Sequence, residues 1–480
     1  MIPSNELTGS LGWYRRHQLL AGALFWMPTA FLYLVEQYGL TTALRVQAVY
    51  YAAVVVLEVP SGWLSDRLGR VLTLRLVAVW WLTAHLLFIV SPDTVGLVGV
   101  VLAQIFLAAG YAFLSGTDVM LHFDTLEAIG RADEFDEREA SSRRGLLGVT
   151  AITALAGGAV GLVDLRLPFA LSLVAAAAQL AIAWQLIEPP RSPVVDAGHP
   201  SGRRLRAWRD LVAALRHFGE RPIAWLGLYV VAQVVTVHLA ADLTGPYLAD
   251  VLGDGLTEPD RAALATGATA AAVALVGALI VPAVPVLSRR VGLAATLLGV
   301  ALIPTGLLVA MALTSAIWLL PLLALRGVQG AATSVLVPAV VGGHVEQERR
   351  ATVLSLNSLG GRLLYGGALL VLAATGGEGL GSGLTVASVV AAVLLAAVLV
   401  GYPVLARGRL RLDHDHEHEH PAQSHEHLHV HHDGGRVGDG HHEHAHHPPF
   451  VGAHAHVHEH DAVRHAHRHT ADSHHRHEHD

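Results

Sequence analysis

The chain contains no cysteine and no lysine. The first absence excludes disulfides, thiolate metal sites and cysteine nucleophiles. The second makes arginine the only permanently cationic side chain and removes the lysine on which a phosphate-cradling Gly-Lys loop depends, so ATP-driven work through such a loop is not expected. Charge is also scarce. Asp, Glu, Lys and Arg make up 15% of 480 residues against 52% hydrophobic, whereas a soluble domain is about one quarter charged. Mean hydropathy is +0.46 even though the end of the chain is strongly polar, so the preceding part is almost wholly apolar. Met1–Gly12 is not basic and leads into no small-residue cleavage site, so no cleavable signal peptide is expected. No catalytic constellation and no nucleic-acid-binding pattern is present, and neither an enzyme nor a nucleic-acid partner is expected.

What is present is a series of apolar runs, each near the roughly 20 residues that a bilayer core requires. Twelve are read, near 18–38, 42–61, 71–90, 94–115, 145–164, 167–187, 222–245, 262–287, 291–312, 316–341, 351–374 and 382–405. Arginine placement orients them. One set of alternate connections carries Arg15 and Arg16; Arg67, Arg70 and Arg75; Arg131, Arg138, Arg143 and Arg144; seven arginines from Arg191 to Arg221; Arg289 and Arg290; Arg349, Arg350 and Arg362; and Arg407, Arg409 and Arg411. The opposite side holds Arg45, Arg166 and Arg261. That bias over an even number of spans puts both termini in the cytoplasm. The predicted organisation is an all-α membrane protein. A six-helix half occupies 1–187, a middle loop 188–221, a second six-helix half 222–411 and a histidine-rich tail 412–480. Within the middle loop, Leu205, Trp208, Leu211, Val212 and Leu215 recur at helical spacing among arginines, which predicts an amphipathic helix on the inner membrane surface.

The stretch Gly62-Trp63-Leu64-Ser65-Asp66-Arg67-Leu68-Gly69-Arg70 lies between the second and third runs. It is too polar for hydrocarbon and is read as a loop at a water-exposed face. Gly62, Leu64, Asp66, Arg67, Gly69 and Arg70 resemble the helix 2–3 loop of the major facilitator superfamily, G-x-L-x-D-R-x-G-R-[RK]; Val71 departs from it. Pro285-Val286-Leu287-Ser288-Arg289-Arg290-Val291-Gly292, between runs 8 and 9, resembles a worn second copy. Ser115–Leu126 and Arg349–Leu363 are similar to segments of one bacterial branch of that superfamily. The resemblance implies twelve transmembrane helices in two pseudo-symmetric halves, alternating access, and a substrate site between the halves near the midplane. It also implies a conformational gate at Gly62, Asp66, Arg67, Gly69 and Arg70. Asp118, Asp124, Arg349, Arg350 and Arg362 are candidates to form ion pairs with the Asp66 and Arg70 segment, and Glu58 is a candidate partner for an inner-face arginine.

Ionisable groups inside spans are costly and are functional candidates. Arg326 stands in the tenth run as Leu322-x-x-x-Arg326-x-x-Gln329-Gly330. In many proton-coupled exporters of the superfamily a similar run lies in helix 4, where this chain has only Gln104 and Gly110 of note. His238 and Asp242 are four residues apart on one helix face. A carboxylate beside an imidazole can carry a proton, bind a cation or form a hydrogen bond. Glu36, His85 and Asp242 are read near the outer ends of their spans. Together, Glu36, Gln104, His238, Asp242, Arg326 and Gln329 are the candidate substrate or proton pathway. Gly157-Gly158-x-x-Gly161 predicts close helix packing.

The tail holds 25 of the 32 histidines, among them His414, His416, His418, His420, His425, His427, His429, His454, His456, His458 and His460. It lacks apolar residues for a core and is expected to be disordered without ligand. Alternating imidazoles and carboxylates suit Zn, Ni or Co, with no cofactor required. Three functions stay open. The first is proton-coupled efflux of a small organic solute or drug through the cell membrane, with protons as coupling ion. The second is export of a divalent transition metal fed by the tail. The third is a membrane-anchored metal buffer or sensor.

Overall fold

A computed structural model describes residues 4–190, 219–253, 260–345, 347–377, 379–410, 414–420, 423–431, 452–460 and 463–469. The predicted amphipathic helix of the middle loop therefore lies outside the described residues. Met1–Leu410 is one compact unit and Arg411–Asp480 a second.

In the first unit the helices run α1 (Ser4–Ala21), α2 (Ala30–Tyr38), α3 (Leu40–Leu68), α4 (Arg70–Val90), α5 (Leu97–Leu114), α6 (Thr117–Ala128), α7 (Phe135–Gly161) and α8 (Leu167–Ala183). The second half comprises α9 (Arg221–Asp242), α10 (Thr244–Leu252), α11 (Asp260–Ile280), α12 (Val284–Val291), α13 (Leu293–Leu313), α14 (Arg326–Gly342), α15 (Gln347–Thr375) and α16 (Leu380–Gly401). Among the described residues, 10 helical stretches are long and apolar enough to cross a membrane. The first and sixth of the twelve expected spans are the exceptions. The sixth, α8, has 17 residues, about 26 Å at 1.5 Å per residue, at the short end of what spans. Apolar side chains inside the spans, such as Ile152 on α7, Val174 on α8 and Val393 on α16, are largely exposed; in a bilayer such side chains meet acyl chains rather than water.

The first span differs from the expected single helix over 18–38. It breaks between α1 and α2, over residues 22–29. Pro28 keeps the two pieces from joining, because it has no N–H to donate and its ring crowds the carbonyl of Leu24, four residues earlier. The exposed backbone is partly satisfied from outside the helix. The Trp26 N–H donates to Ser172 Oγ at 3.2 Å, and the Thr150 and Thr153 hydroxyls donate to the Gly22 carbonyl at 3.0 and 3.3 Å.

The Gly62–Arg70 stretch also differs from expectation. It is not a loop: α3 continues through Leu68, and Gly69 alone turns the chain into α4. Polar side chains on a helix end leave the hydrocarbon as effectively as a loop does, so composition could not separate the two. Gly69 has φ 93° and ψ 152°, and Gly292, between α12 and α13, has φ 94° and ψ 147°. This is a backbone region that a Cβ disfavours. Four residues on, Thr73 Oγ1 donates to Gly69 O at 2.8 Å and Thr296 Oγ1 donates to Gly292 O at 2.9 Å. The second copy is therefore retained in conformation where its side chains have diverged. In the first copy, the Glu188 carboxylate accepts from the N–H groups of Arg70 and Val71 at 2.8 and 2.7 Å, an acidic cap at the start of α4.

The halves meet along α3 with α15 and α7 with α11. At the second crossing glycine faces glycine. A Cβ on Gly158 would stand 2.7 Å from the Ala263 carbonyl oxygen, and one on Gly267 would stand 2.6 Å from that of Ala154. The glycines singled out for close packing thus bring two backbones into contact. This crossing and the 3.1 Å bond from Thr41 Oγ1 to Gly377 O lie at the arginine-poor helix ends.

In the second unit, β1 (His414–His420) pairs antiparallel with β4 (Val463–His469), and β2 (Gln423–His431) with β3 (Gly452–His460). Histidine at alternate positions has the period of a strand. Two-stranded ribbons without a supporting layer are marginal in water, so this pairing is compatible with a tail that has no fixed core of its own.

Candidate functional site

A cavity of about 450 Å³ lies between the halves of the first unit. The broken first span supplies Leu24, Trp26, Met27, Pro28, Ala30 and Phe31 to its wall. Gln47, Tyr50 and Tyr51 come from α3, Gln104 and Tyr111 from α5, His238 and Asp242 from α9, Thr266 from α11 and Arg326 from the first position of α14. Irregular backbone at this depth is tolerated because it lines a cavity rather than lipid.

The polar groups form a connected set that crosses from one half to the other. Gln104 Nε2 donates to Gln47 Oε1 at 3.2 Å. Gln47 in turn stands against the Asp242 carboxylate, which accepts from the Tyr365 hydroxyl at 2.5 Å. Arg326 is close enough to Asp242 for their charges to interact. Its Nε donates to the Leu323 carbonyl at 3.3 Å, and its Nη1 is buried with no partner among the described residues. His238 Nδ1 lies 2.7 Å from the Val234 carbonyl. A carbonyl only accepts, so the geometry assigns a proton to Nδ1. Aromatic rings frame these groups: Tyr51 and Tyr365 have centroids 4.7 Å apart, and His238 lies 5.7 and 5.2 Å from them. Each half thus contributes amide or tyrosine groups, while the two charges both come from the second half. The set can bind a polar solute and hold a proton on Asp242.

Of the six pathway candidates, Gln104, His238, Asp242 and Arg326 line this cavity. Gln329 is buried on α14 and donates to Thr333 Oγ1 at 3.0 Å, outside the cavity lining. Glu36 is on α2, beside Gln37, and does not reach the cavity lining. The expected position of Asp242 near the outer end is corrected: helix continues through α10 to Leu252, which leaves Asp242 ten residues short of that end. His85 is 3% exposed inside the first half and is held by the Trp81 carbonyl, not at a cavity mouth. Gln47, Tyr50, Tyr51, Tyr111 and Tyr365 were not singled out by sequence. The adjacent Tyr50 and Tyr51 in the middle of an apolar run were the available signal.

The gate candidates separate into distinct contacts. Arg70 Nε pairs with Asp124 Oδ2 at 3.2 Å within the first half. Asp118 turns inward and accepts from Gln18 Nε2 at 2.7 Å; Gln18 also donates to Tyr14 Oη, beside Glu139 and His122. Arg350 donates to the carbonyls of Val345 and Gly342. Arg362 Nη1 pairs across the halves with Glu58 Oε2 at 2.6 Å, which places Glu58 with the inner-face arginine expected of it. Gly69 is the turn described above, Arg67 and Arg349 are partly or wholly exposed at the same face, Gly62 lies within α3, and the side chain of Asp66 lies outside what is described. Among the described residues, no group of three or more His, Asp or Glu is arranged to hold a metal. The tail histidines are described only as strand backbone. Their register sets His414 opposite His469, His416 opposite His467 and His418 opposite His465, and likewise His425, His427 and His429 opposite His458, His456 and His454.

Residues 145–369 match the family model described as Major Facilitator Superfamily. No curated protein matches the chain. Solved structures with the same fold include the nucleoside transporter NupG, at 13% identity and TM-score 0.64, covering 83% of this chain and 99% of that one. A D-xylose–proton symporter aligns at 14% identity and TM-score 0.61, covering 80% and 96%. The POT family transporter PepTSo aligns at 11% identity and TM-score 0.60, covering 85% and 99%. At such identities the likeness is one of fold.

Proposed function

Because this chain is a member of the Major Facilitator Superfamily, we propose that it moves a small organic solute across the cell membrane by alternating access, coupled to protons, with both termini in the cytoplasm. The observation that carries the reading is the hydrogen-bonded set from Gln104 and Gln47 to Asp242 and Tyr365, because it joins the two halves at the cavity they enclose. A proton on Asp242 changes what Tyr365, Gln47 and Arg326 interact with. The same event therefore alters solute contacts and the contacts between halves, which is what coupling requires. The wall of Trp26, Phe31, Tyr50, Tyr51 and Tyr111 favours an organic solute over a bare ion. Outward movement, as in an antiporter, is the direction suggested by the Arg326-x-x-Gln329-Gly330 run and its likeness to exporters. One of the fold neighbours is a D-xylose–proton symporter, which supports protons as a coupling ion on this fold.

The test is carried out in liposomes holding the full chain, with an imposed pH gradient and a mixture of small metabolites and drugs. Wild type should move at least one component in response to the gradient, and Asp242→Asn should bind that component while losing the response. A gradient response that survives in Asp242→Asn contradicts the coupling role.

The alternating histidines favour a second property, metal binding by the tail. The register places six histidine pairs directly opposite one another, a spacing of about 5 Å between Cα atoms in antiparallel strands that suits shared Zn, Ni or Co. Export of such a metal has less support in the membrane part, where His238 and Asp242 reach the cavity and Glu36 and His85 do not. A metal buffer or sensor attached to the transporter needs only the tail. Zinc titration of the full chain and of a chain ending at Arg411 separates these: binding confined to the tail, with solute transport unchanged by its loss, favours the buffer.

A further inference from the structure

We propose that the solute carried in the central cavity bears a carboxylate or similar oxyanion, held by Arg326 together with the N-terminus of α2. This rests on the transport reading above and names the chemistry of its substrate. Two independent features point to an anion.

The first is the unmet donor capacity of Arg326. The residue is 8% exposed, lines the cavity and has Nη1 without a partner among the described residues. A buried guanidinium with open N–H groups is a costly arrangement unless something completes it. Asp242 shares the cavity and is near enough for its charge to act on Arg326, but its carboxylate is hydrogen-bonded by the Tyr365 hydroxyl and Gln47, while Arg326 Nη1 has no acceptor among the described residues. The guanidinium fork matches a carboxylate in two parallel hydrogen bonds.

The second is the break in the first span. It creates a helix start inside the membrane, at the cavity wall formed by Pro28, Ala30 and Phe31. The first backbone bond of α2 runs from the Tyr33 N–H to Thr29 O, so the N–H groups of residues 30–32 precede it. Thr29 does not cap them: its hydroxyl turns to the Trp26 carbonyl. A helix start carries a partial positive charge and unpaired donors, both suited to an anion. It comes from the first half and Arg326 from the second, and both line the same cavity, where each offers donors to an oxyanion. The aromatic lining of the cavity accepts an apolar or aryl body, which makes the class a small organic acid.

The experiment uses the purified full chain in nanodiscs, with intrinsic tryptophan fluorescence and thermal unfolding as readouts. The probes are benzoate, methyl benzoate and benzylamine, which share a ring and differ in charge. Benzoate should bind saturably, at least about tenfold more tightly than the ester or the amine, the order of effect expected from a charge-assisted pair. Arg326→Gln should lose about tenfold for benzoate alone, and Arg326→Lys should restore part of it; unfolding without probe checks that both variants remain folded. Equal binding of ester or amine, no saturable benzoate binding, or unchanged benzoate affinity in Arg326→Gln overturns the proposal. Failure of the transport reading is separate and appears as loss of gradient-driven solute movement in wild type.

Discussion

Arg362 and Glu58, 304 positions apart in the chain, form an ion pair at 2.6 Å between α15 and α3. The pair lies on the arginine-rich side of the cavity, about two helical turns from Tyr51 along α3. The opposite side is closed by the Gly158–Gly267 crossing and the Thr41–Gly377 bond. The cavity therefore sits between two sets of contacts of different chemistry, one ionic and one made by backbone packing.

Breaking the ionic set should change how often that side opens. Glu58→Gln and Arg362→Gln should each change the equilibrium by about 1 kcal/mol, or about fivefold, since both side chains are partly exposed. The exchanged pair Glu58→Arg with Arg362→Glu should restore most of it. The cysteine-free chain gives a clean readout: the maleimide labelling rate of Thr266→Cys, a cavity position. Identical rates in all variants contradict a gating role.

Packing closes the other side, and Gly158→Val tests it. The first added carbon already falls within 2.7 Å of the Ala263 carbonyl, so α7 and α11 must separate. A loss of about 1–3 kcal/mol in stability is expected, together with slower transport. Thermal unfolding and solute uptake check both, and a neutral result shows that the halves are not held by this crossing.

Tyr365→Phe removes the hydroxyl that donates to Asp242 and keeps the ring against Tyr51. Leaving a buried carboxylate short of one donor costs about 1–3 kcal/mol. Gradient-driven transport should fall at least tenfold with little loss of folded protein. Transport at the wild-type rate removes Tyr365 from the coupling set.

Removing residues 412–480 should abolish most zinc binding by the purified chain while leaving gradient-driven solute transport within about twofold of wild type. The second expectation follows from the separation of the chain into two units. Isothermal titration and liposome uptake are the measurements. Loss of solute transport on truncation would tie the tail to the transport cycle.

Ten of the twelve expected spans were legible because hydrocarbon imposes length and composition on every span, and the second copy of the signature because Gly292 keeps the conformation of Gly69 despite the loss of the surrounding residues. Arg326 and Asp242 were legible for the opposite reason, as charges where charge is expensive. The tyrosines and Gln47 were not: a polar tip on an apolar run reads the same whether it meets a cavity or a neighbouring helix. The break at 22–29 had Pro28 as its signal, but proline also occurs in membrane helices that bend without breaking, so only the arrangement of Ser172, Thr150 and Thr153 around it decides the outcome.

The most direct test of two halves moving about a common cavity is a distance measurement between them. Spin labels at Asp164→Cys and Ser315→Cys, both exposed at the arginine-poor side, report the separation of the halves in an otherwise cysteine-free chain. Two distance populations are predicted, with Asp242→Asn and a change of pH shifting their ratio. A single distance that stays fixed under every condition, in a protein that still transports, would contradict the account.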